Sequence, residues 1–389
     1  MRNVLFFLVL ILTITQLWAD DTETKVNSEV GFRFARGSWG NNVRSKPYLK
    51  SELQKKFNDD FSSPLLDISF RASENLTSKN QNEEVELRSL RLSKKGTHYA
   101  FDWGLQTVNW SETFGFNILD IVNPRDWSEF VFEDLSWAQI PVWALKNSFF
   151  YGNFKFQLIY VPRAKNLIAP RSGSYFDPLS KLTTLPRKNY SSKKIFKDDE
   201  WGMRLEYLFD FGLDLSLISY EHFNRTPVYS LKEGGLVPTD PKLKSYALSF
   251  TYALNSFVLR GDTLQTSNQP YNSSDLLNHT KNDWQGIYGL DYTFENQLMI
   301  GGQYEFEQIS KNKWGSIQLK KSIKDFDLQC LFFFGLNNDD RWVRPELTWH
   351  LPYAMTIRAY SDFIRGKSGG VLSPFDRKKL YAMNFNWMF

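Results

Sequence analysis

Segment 109–138 concentrates side chains whose charge could act on another molecule. Its acidic residues include Glu112, Asp120, Asp126 and Glu129. Its one basic residue is Arg125. Four arginines in other parts of the chain are Arg204, Arg260, Arg344 and Arg358. Acidic and basic groups that face each other across a narrow polar space set an ion preference and orient polar solutes.

Enzyme motifs give no comparable signal. The sequence has no G-x-S-x-G elbow and no H-E-x-x-H pair, and its 4 histidines are scattered. The single cysteine, Cys330, excludes an intramolecular disulfide and a cysteine metal cage. The acidic run 198–200 could supply the paired carboxylates of a hydrolase, but a solvated loop is the simpler interpretation. We therefore predict no catalytic site, no metal site and no cofactor.

The composition and the N-terminus indicate a secreted protein rich in aromatic rings. Lys and Arg number 47 against 43 Asp and Glu, and this small excess argues against a nucleic-acid partner. Arg2, the apolar run 4–12 and Ala19 have the order of a signal peptide over residues 1–19. The apolar run is too short for a membrane helix, which needs about 20 residues. Residues 20–389 would then form one domain.

The remainder of the chain alternates with a period of two residues. In segment 97–107, Trp103 and Leu105 share one face while Asp102 and Gln106 occupy the other. Side chains of a β-strand point alternately to its two faces, so this pattern predicts strands with one apolar face. We count eighteen such segments, from 29–37 to 379–389. The count falls to sixteen if the first two weak segments are excluded, because 47–57 could equally be a short helix.

The charged faces and the connections favour a membrane barrel over a soluble sandwich. A sandwich would cover its aromatic faces with a second sheet, whereas a membrane barrel turns them to lipid and encloses the charges. Short turns alternate with longer links such as 109–138, 164–200, 223–242 and 265–283. Outer-membrane barrels have this alternation. The predicted fold class is therefore all-β, a transmembrane antiparallel β-barrel whose size leaves a water-filled lumen.

Two of the long links carry specific expectations. Segment 109–138 is too apolar for an exposed loop and too broken for a lipid-facing strand, so we expect it to fold into the lumen. There it either forms a constriction opposite the four arginines or acts as a plug that braces the barrel. Loop 164–200 has a basic excess that could bind lipopolysaccharide phosphates or steer anions inward. A solvated loop is the alternative.

Two parts of the chain resemble known outer-membrane proteins. The last strand, YAMNFNWMF, ends at Phe389 and resembles the C-terminal signal that the barrel-assembly machinery recognises. Segment 101–178 is similar to a Gram-negative outer-membrane barrel family of unknown function, near porin-like proteins of the alginate-export type. The residues that carry this resemblance are Gly104, Gln106, Trp110, Asp120, Asn123, Pro124 and Asp126. Ser111 departs from the pattern, since a glycine often follows the tryptophan. The resemblance implies a barrel in the outer membrane and passive transport, without a substrate.

Three functions remain open from the sequence. The first is a passive, porin-like outer-membrane channel for small polar or anionic solutes, with segment 109–138 as its constriction. The second is a plugged structural or surface-binding barrel, and the third, which we rank lowest, is an outer-membrane hydrolase. The expected partners are outer-membrane lipid and lipopolysaccharide. The sequence leaves the solute and the oligomeric state open.

Overall fold

The computed structural model describes residues 24–37, 42–57, 63–76, 82–113, 117–132, 134–179, 185–225, 228–232, 234–272, 278–367 and 369–389. The predicted signal peptide, residues 1–19, lies outside these ranges. Among the described residues, no helix has the length and apolar character needed to cross a membrane.

Eighteen long strands and one short hairpin make up most of the described chain. The first nine strands are β1 (Thr24–Gly37), β2 (Asn42–Lys56), β3 (Leu65–Asn75), β4 (Asn82–Lys95), β5 (Tyr99–Gln106), β6 (Val142–Tyr151), β7 (Phe154–Val161), β8 (Glu200–Leu208) and β9 (Leu213–Phe223). The short hairpin consists of β10 (Val228–Lys232) and β11 (Gly235–Thr239). The other nine strands are β12 (Lys242–Leu254), β13 (Phe257–Asn272), β14 (Asn278–Thr293), β15 (Leu298–Glu307), β16 (Lys313–Ile323), β17 (Phe326–Gly335), β18 (Arg341–Leu351), β19 (Met355–Arg365) and β20 (Lys379–Met388).

The long strands pair with their neighbours in an antiparallel sheet that closes on itself. β9 pairs with β12, and β20 pairs with β1 from Glu29↔Met388 to Gly37↔Leu380. Closure removes the open edges that an isolated sheet would present. The prediction of eighteen strands is confirmed and the alternative of sixteen is wrong. Segment 47–57 is not a helix, because β2 pairs along its length with both β1 and β3.

Two predicted links contain more regular structure than we expected. Segment 265–283, predicted as a loop, is largely strand, because β13 and β14 continue as a paired hairpin to Asn272↔Asn278. Its polar Thr, Asn and Gln residues lack the apolar alternation on which the sequence prediction relied. Segment 223–242 contains the β10–β11 hairpin. The described residues also form three short helical turns, Phe130–Phe132, Leu135–Ala138 and Ser373–Phe375.

Exposure alternates along the barrel strands with the polarity of the side chains. On β5, Trp103 is 45% exposed whereas its neighbour Asp102 is 9% exposed. On β19, Phe363 is exposed and Asp362 is fully buried. At these positions the aromatic rings face outward and the charges face inward, which is the arrangement of a barrel that lies in lipid. The sandwich alternative is excluded, since no second sheet covers the aromatic faces within the described part of the chain.

Apolar packing inside the barrel occurs in two separate clusters on opposite walls. One contains Trp110 and Leu119 from the connection after β5, packed on Ile218 and Tyr220 of β9. The other contains Phe132 from the same connection. Its other members are Ala35, Val43, Phe176, Phe333, Trp342, Tyr360, Ile364, Leu372, Phe375, Leu380 and Ala382. A single connection therefore supplies buried apolar side chains to both walls.

Candidate functional site in the barrel lumen

The connection between β5 and β6, residues 107–141, lies against the inner wall, and we call it the inner loop. Near its beginning, Arg204 of β8 donates to the carbonyl oxygen of Trp110 at 3.4 Å. Farther along, Arg344 of β18 donates to the carbonyl oxygen of Phe132 at 3.5 Å. β8 and β18 are nearly opposite in the circle of strands. The described parts of the inner loop therefore cross the lumen.

Asn123 joins the two ends of the inner loop. Its side-chain oxygen accepts from the backbone N–H of Val108 at 2.7 Å. Its Nδ2 donates to the carbonyl oxygens of Ile140 at 2.8 Å and Gln106 at 3.4 Å. The carbonyl oxygen of Pro124 accepts from the N–H of Ile140 at 2.9 Å. Because Asn123 is buried, this Asn-Pro step is a clamp at the base of the loop as well as a turn.

Asp120 stabilises the first turn of the inner loop. Its carboxylate accepts from the backbone N–H groups of Trp110 at 3.3 Å and Ser111 at 3.5 Å. It also accepts from the side-chain amides of Asn117 at 2.9 Å and Gln139 at 3.2 Å. The carboxylate therefore binds groups of its own loop, and no contact with a wall arginine is described.

Gly104 and Gln106 fix the backbone conformation of β5 where this strand leads into the inner loop. The φ angle of Gly104 is 130°, and a Cβ atom there would overlap the carbonyl oxygen of Leu90 on β4. Only glycine adopts this conformation without strain. The Nε2 atom of Gln106 donates to the carbonyl oxygens of Asp102 at 3.0 Å and Ala144 at 3.1 Å. Both residues therefore fix the backbone of β5.

Trp110 fastens the beginning of the loop to the wall. Its indole Nε1 donates to Gln157 of β7 at 2.9 Å, and its ring meets Tyr220 edge to face at 5.4 Å. A buried tryptophan usually finds such a hydrogen-bond partner. Like Gly104, Gln106, Asp120, Asn123 and Pro124, this residue is structural in its contacts.

Glu112 faces one of the predicted wall arginines. Its Oε1 lies 3.3 Å from Nη2 of Arg204, which also contacts Glu206 at 3.1 Å. Arg260 donates to the carbonyl oxygen of Glu112 at 3.0 Å but forms its ion pair with Asp291 at 2.6 Å. The Glu112 side chain stays 41% exposed, so it can act on a solute beside the loop.

The other two predicted arginines hold the far side of the loop. Arg344 forms its ion pair with the wall residue Asp362 at 2.6 Å. Arg358 contacts Asp134 of the inner loop at 2.8 Å and Glu346 of β18 at 2.6 Å. Arg358 therefore faces an acidic group of the loop, whereas Arg344 reaches only a loop carbonyl.

Arg125, Asp126 and Glu129 occupy the middle of the inner loop. Arg125 donates to a backbone carbonyl of its own loop at 3.0 Å. The Asp126 carboxylate accepts from the N–H of Ser128 at 2.8 Å, and burial raises the pKa of Asp126. Glu129 forms a buried ion pair with Arg44 of β2. Of these three side chains, Glu129 is the one that reaches a wall cation.

Sequence reasoning missed the ion pair of Arg225 and Glu200. Arg225 donates to the carbonyl oxygens of Ile121 at 3.0 Å and Val122 at 2.8 Å. The same guanidinium contacts Glu200 at 2.6 Å, and the Glu200 side chain is fully buried. The alternation contained a signal, because Glu200 has the same inward parity on β8 as Arg204. We instead placed Glu200 in a solvated acidic run.

The acidic run 198–200 does not form a pair of free carboxylates. Asp198 accepts from the backbone N–H of Lys194 at 2.7 Å, and Asp199 contacts Lys242 at 3.2 Å. With Glu200 bound to Arg225, each carboxylate has a structural partner. In the described part of the chain, no group of three or more His, Cys, Asp and Glu side chains is arranged to hold a metal ion.

Part of the basic excess of loop 164–200 is also bound internally. Arg187 contacts the buried Asp177 at 2.8 Å, and Lys193 contacts Asp240 at 2.6 Å. Lys194 and Lys197 remain exposed. The loop therefore offers fewer free cations than its sequence indicated.

Two cavities border the inner loop on the side of β1–β4. The larger has a volume of about 800 Å³, and its lining includes Lys50, Arg71, Arg88 and Trp137. The smaller has a volume of about 290 Å³. Its lining residues are Lys46, Asn75, Glu84, Asp126, Ser128, Glu129, Ile168, Ala169, Arg171 and Ser174. The inner loop thus leaves polar space beside it that is lined by charged groups.

Trp137 is the centre of a group of cations beside the larger cavity. Its ring lies 4.3 Å from the guanidinium of Arg33 and 4.2 Å from that of Arg71. The ammonium groups of Lys46 and Lys50 are 5.4 Å and 4.8 Å from the ring centre. An indole face attracts cations at these distances, so Trp137 keeps four positive groups close together.

Comparisons with solved structures show the same fold over nearly the whole chain. OccD3 (OpdP) of Pseudomonas aeruginosa is 9% identical with a TM-score of 0.61, and the match covers 95% of this chain and 91% of that one. OccAB2 of Acinetobacter baumannii is 8% identical with a TM-score of 0.60, covering 94% and 98%. OmpF of Salmonella typhi, in complex with daunomycin, is 12% identical with a TM-score of 0.51, covering 96% and 99%.

Comparisons of sequence found no relative. No protein-family model matches the chain, and no curated protein matches it. The predicted resemblance to a barrel family near the alginate-export type is therefore not confirmed. The predicted fold class is confirmed, because the chain has the barrel fold of the porin structures above.

Proposed function

We propose that the protein is a passive, porin-like channel of a Gram-negative outer membrane for small polar or anionic solutes. Its eighteen-stranded barrel has apolar side chains outside and charged side chains inside. A barrel of this size encloses an aqueous lumen. The chain shares its fold with outer-membrane porins, which supports this class of function and a non-enzymatic role.

One observation carries the proposal. The inner loop is held across the lumen by contacts to β8 and β18, yet a cavity of about 800 Å³ remains beside it. A fixed loop with polar space at its side narrows a channel without filling it. Glu112 on the loop and the cations near Trp137 then supply the opposed charges that select ions.

The group of cations around Trp137 supports the preference for anions. Arg33, Lys46, Lys50 and Arg71 surround one ring, and Arg88 lines the same cavity. Each of the five cations also lies within 4.0 Å of a carboxylate, and Arg71 and Arg88 share Glu86, so most of the positive charge is compensated. We therefore propose a modest anion preference rather than exclusion of cations.

Planar-bilayer recording under a KCl gradient tests both parts of the proposal. We expect the purified protein to conduct, with a reversal potential on the anion-selective side. Lys50→Gln with Arg88→Gln should shift that potential toward cations. Lys94→Gln with Lys244→Gln is the matched control, because it removes two exposed lysines from the outward faces of β4 and β12. If the reversal potential shifts equally in both double variants, the anion preference does not arise from this cavity.

A plugged barrel is the second candidate, and the apolar cluster around Phe132 favours it. Phe132 is 1% exposed, and its ring packs 5.3 Å from Phe375 and 5.7 Å from Phe176. Packing of this kind would hold a plug firmly. Recording with and without residues 111–136 separates the two functions. A silent full-length protein that conducts only after the deletion would establish the plug and contradict the channel.

The proposed location also includes a route to the membrane. We propose secretion by the signal peptide 1–19 and recognition of the last strand by the barrel-assembly machinery through Phe389. The backbone N–H and C=O of Phe389 bond with Ser28 of β1, so this residue lies where the barrel closes. Cell fractionation of the full chain and of a variant without Phe389 tests the route. Equal amounts in the outer membrane would contradict a role for Phe389.

A further inference from the structure

The outer surface of the barrel carries a row of cations at one end of neighbouring strands. On each of β18, β19 and β20, the outward-facing residue nearest this rim is a cation. These residues are Arg341, Arg365 and Lys379, and all three are exposed. The inward neighbours Trp342, Ile364 and Leu380 are buried. The outward-facing residue nearest the same rim is also a cation on β16, where it is Lys313, and on β1, where it is Arg36. The row therefore follows the rim over five of six neighbouring strands, since β17 has no cation at this level.

An apolar column lies directly below each of these cations. On β20 the exposed residues after Lys379 are Tyr381, Met383, Phe385 and Trp387. The eight-residue rise from Lys379 to Trp387 is about 26 Å along the strand at about 3.3 Å per residue. This length matches the apolar band of a membrane barrel. Outer-membrane barrels have their short turns on the periplasmic side. The short turns between β16 and β17 and between β18 and β19 lie at the opposite rim, so the row lies at the level of the extracellular leaflet's headgroups.

Arg341 and Arg365 face each other directly across β18 and β19. Residues opposite each other in a sheet have Cβ atoms about 5 Å apart, and like charges there repel. Neither guanidinium has an ion pair among those described, and Lys379 extends the positive surface along β20. A pair of this kind is unfavourable unless an anion lies between the two guanidinium groups.

The chain itself supplies little compensating charge at this place. Two exposed carboxylates lie nearby. Asp339 forms an ion pair with Lys367. Asp376 lies 3.7 Å from Arg377 and accepts from the backbone N–H of Gly366 at 3.0 Å. The Lys367 ammonium holds the pKa of Asp339 below its usual range, and Arg341 and Arg365 lower it further. Two exposed carboxylates therefore face five exposed cations on the described surface of β18–β20 and its adjoining loops: Arg341, Arg365, Lys367, Arg377 and Lys379.

The opposite side of the barrel does not repeat this arrangement. On β9 and β12 the outward residues at the same rim include Glu221 and Lys242, which form an ion pair at 3.0 Å. Lys242 also contacts Asp199 at 3.2 Å. Charges of both signs compensate each other there, so the positive surface on β18–β20 is a local feature.

We propose that the outer face of β18–β20 binds the phosphate groups of lipopolysaccharide, with Arg341 and Arg365 as the principal ligands and Lys379 beside them. Two guanidinium groups can clamp a phosphate through paired hydrogen bonds. The acyl chains would lie along Tyr381 and Met383 below. The proposal rests on the outer-membrane location and is independent of any passage of solutes through the lumen.

Native mass spectrometry of the purified barrel in detergent tests this site. The barrel is titrated with bisphosphorylated lipid A, with the same lipid A lacking phosphates, and with inorganic pyrophosphate. We expect Arg341→Gln with Arg365→Gln to weaken binding of bisphosphorylated lipid A about 10- to 30-fold. Lys94→Gln with Lys95→Gln removes two exposed lysines at the other rim and should bind as the wild type does.

Four results would overturn the proposal. The first is equal binding of lipid A with and without phosphates, and the second is unchanged affinity of R341Q/R365Q. The third is pyrophosphate bound as tightly as lipid A, which would assign the site to free phosphates. The fourth is that R341Q/R365Q forms fewer oligomers but binds lipid A as the wild type does, which would assign this face to contacts between copies of the chain. Conductance is not used in this test, so its outcome is separate from that of the channel.

Discussion

Arg225 and Glu200 form an ion pair, with 2.6 Å between Nη2 and Oε2, that ties the inner loop to the barrel wall. The guanidinium holds two loop carbonyls, and the carboxylate accepts from Tyr220 at 3.0 Å and from the backbone of Phe223 at 2.9 Å. Both carboxylate oxygens of Glu200 and the Nε and Nη2 atoms of Arg225 therefore have hydrogen-bond partners. Two charges buried with such partners keep each other in place.

Removing one member of this pair should loosen the inner loop. We expect Arg225→Ala to lower the free energy of unfolding by about 3–5 kcal/mol, because it leaves Glu200 buried without its cation. Urea unfolding in detergent measures this change, and single-channel recording should show noisier openings. Lys155→Ala is the control, since its pair with Glu206 is partly exposed and should contribute less than about 1 kcal/mol. Equal losses in both variants would contradict this role.

Asn123→Ala should open the base of the loop. Its side chain satisfies the N–H of Val108 and the C=O of Ile140, and leaving them unpaired should cost about 2–4 kcal/mol in total. Hydrogen exchange of residues 107–141 should become faster in the variant. Asn153→Ala removes an exposed hydrogen bond to Asp210 in a turn at the opposite rim and should leave that exchange unchanged. Unchanged exchange in Asn123→Ala would show that the clamp is dispensable.

Glu112 and Asp120 should respond differently to loss of charge. Glu112→Gln removes an exposed negative group beside Arg204, so the reversal potential should shift toward anions while stability changes little. Asp120→Asn keeps one oxygen for the two backbone N–H groups but replaces the other oxygen, which accepts from the amides of Asn117 and Gln139, by an NH2 donor. Two donors would then face each other, so the variant should destabilise the loop by roughly 1–3 kcal/mol. Paired bilayer and urea measurements separate the two effects. A selectivity change only in Asp120→Asn would reverse our assignment.

Gly104→Ala should destabilise the barrel at the entrance to the inner loop. The new Cβ would overlap the carbonyl oxygen of Leu90 at a φ angle of 130°, so β4 and β5 would have to separate. We expect a loss of more than about 2 kcal/mol. Gly302→Ala is the matched control, because its Cβ would meet no atom closer than 4.0 Å. Heat-dependent mobility on gels reports the folded fraction, and equal unfolding temperatures would contradict the strain.

The alternation of apolar and polar residues was enough to predict much of the fold. Particular residues show where this pattern was too weak to support a prediction. The parity of Trp103 and Asp102 on β5 indicated which face would be outside, because a strand fixes this locally. The pattern was too weak to decide between strand and helix for 47–57. Pairing of β2 with two neighbours decided it, since every backbone group there gains a partner. The same cause extended β13 and β14 through a polar segment.

The sequence by itself determined most of the strands, their outward rings and their inward charges, all of which follow from local periodicity. Only the tertiary structure decided which charges meet. Arg225 lies 104 residues from Ile121, and Arg358 lies 224 residues from Asp134. Such pairs exist because the sheet closes and brings distant strands to face one lumen. No spacing along the chain encodes that closure, so Glu112 could be expected near an arginine but its partner Arg204 could not be singled out.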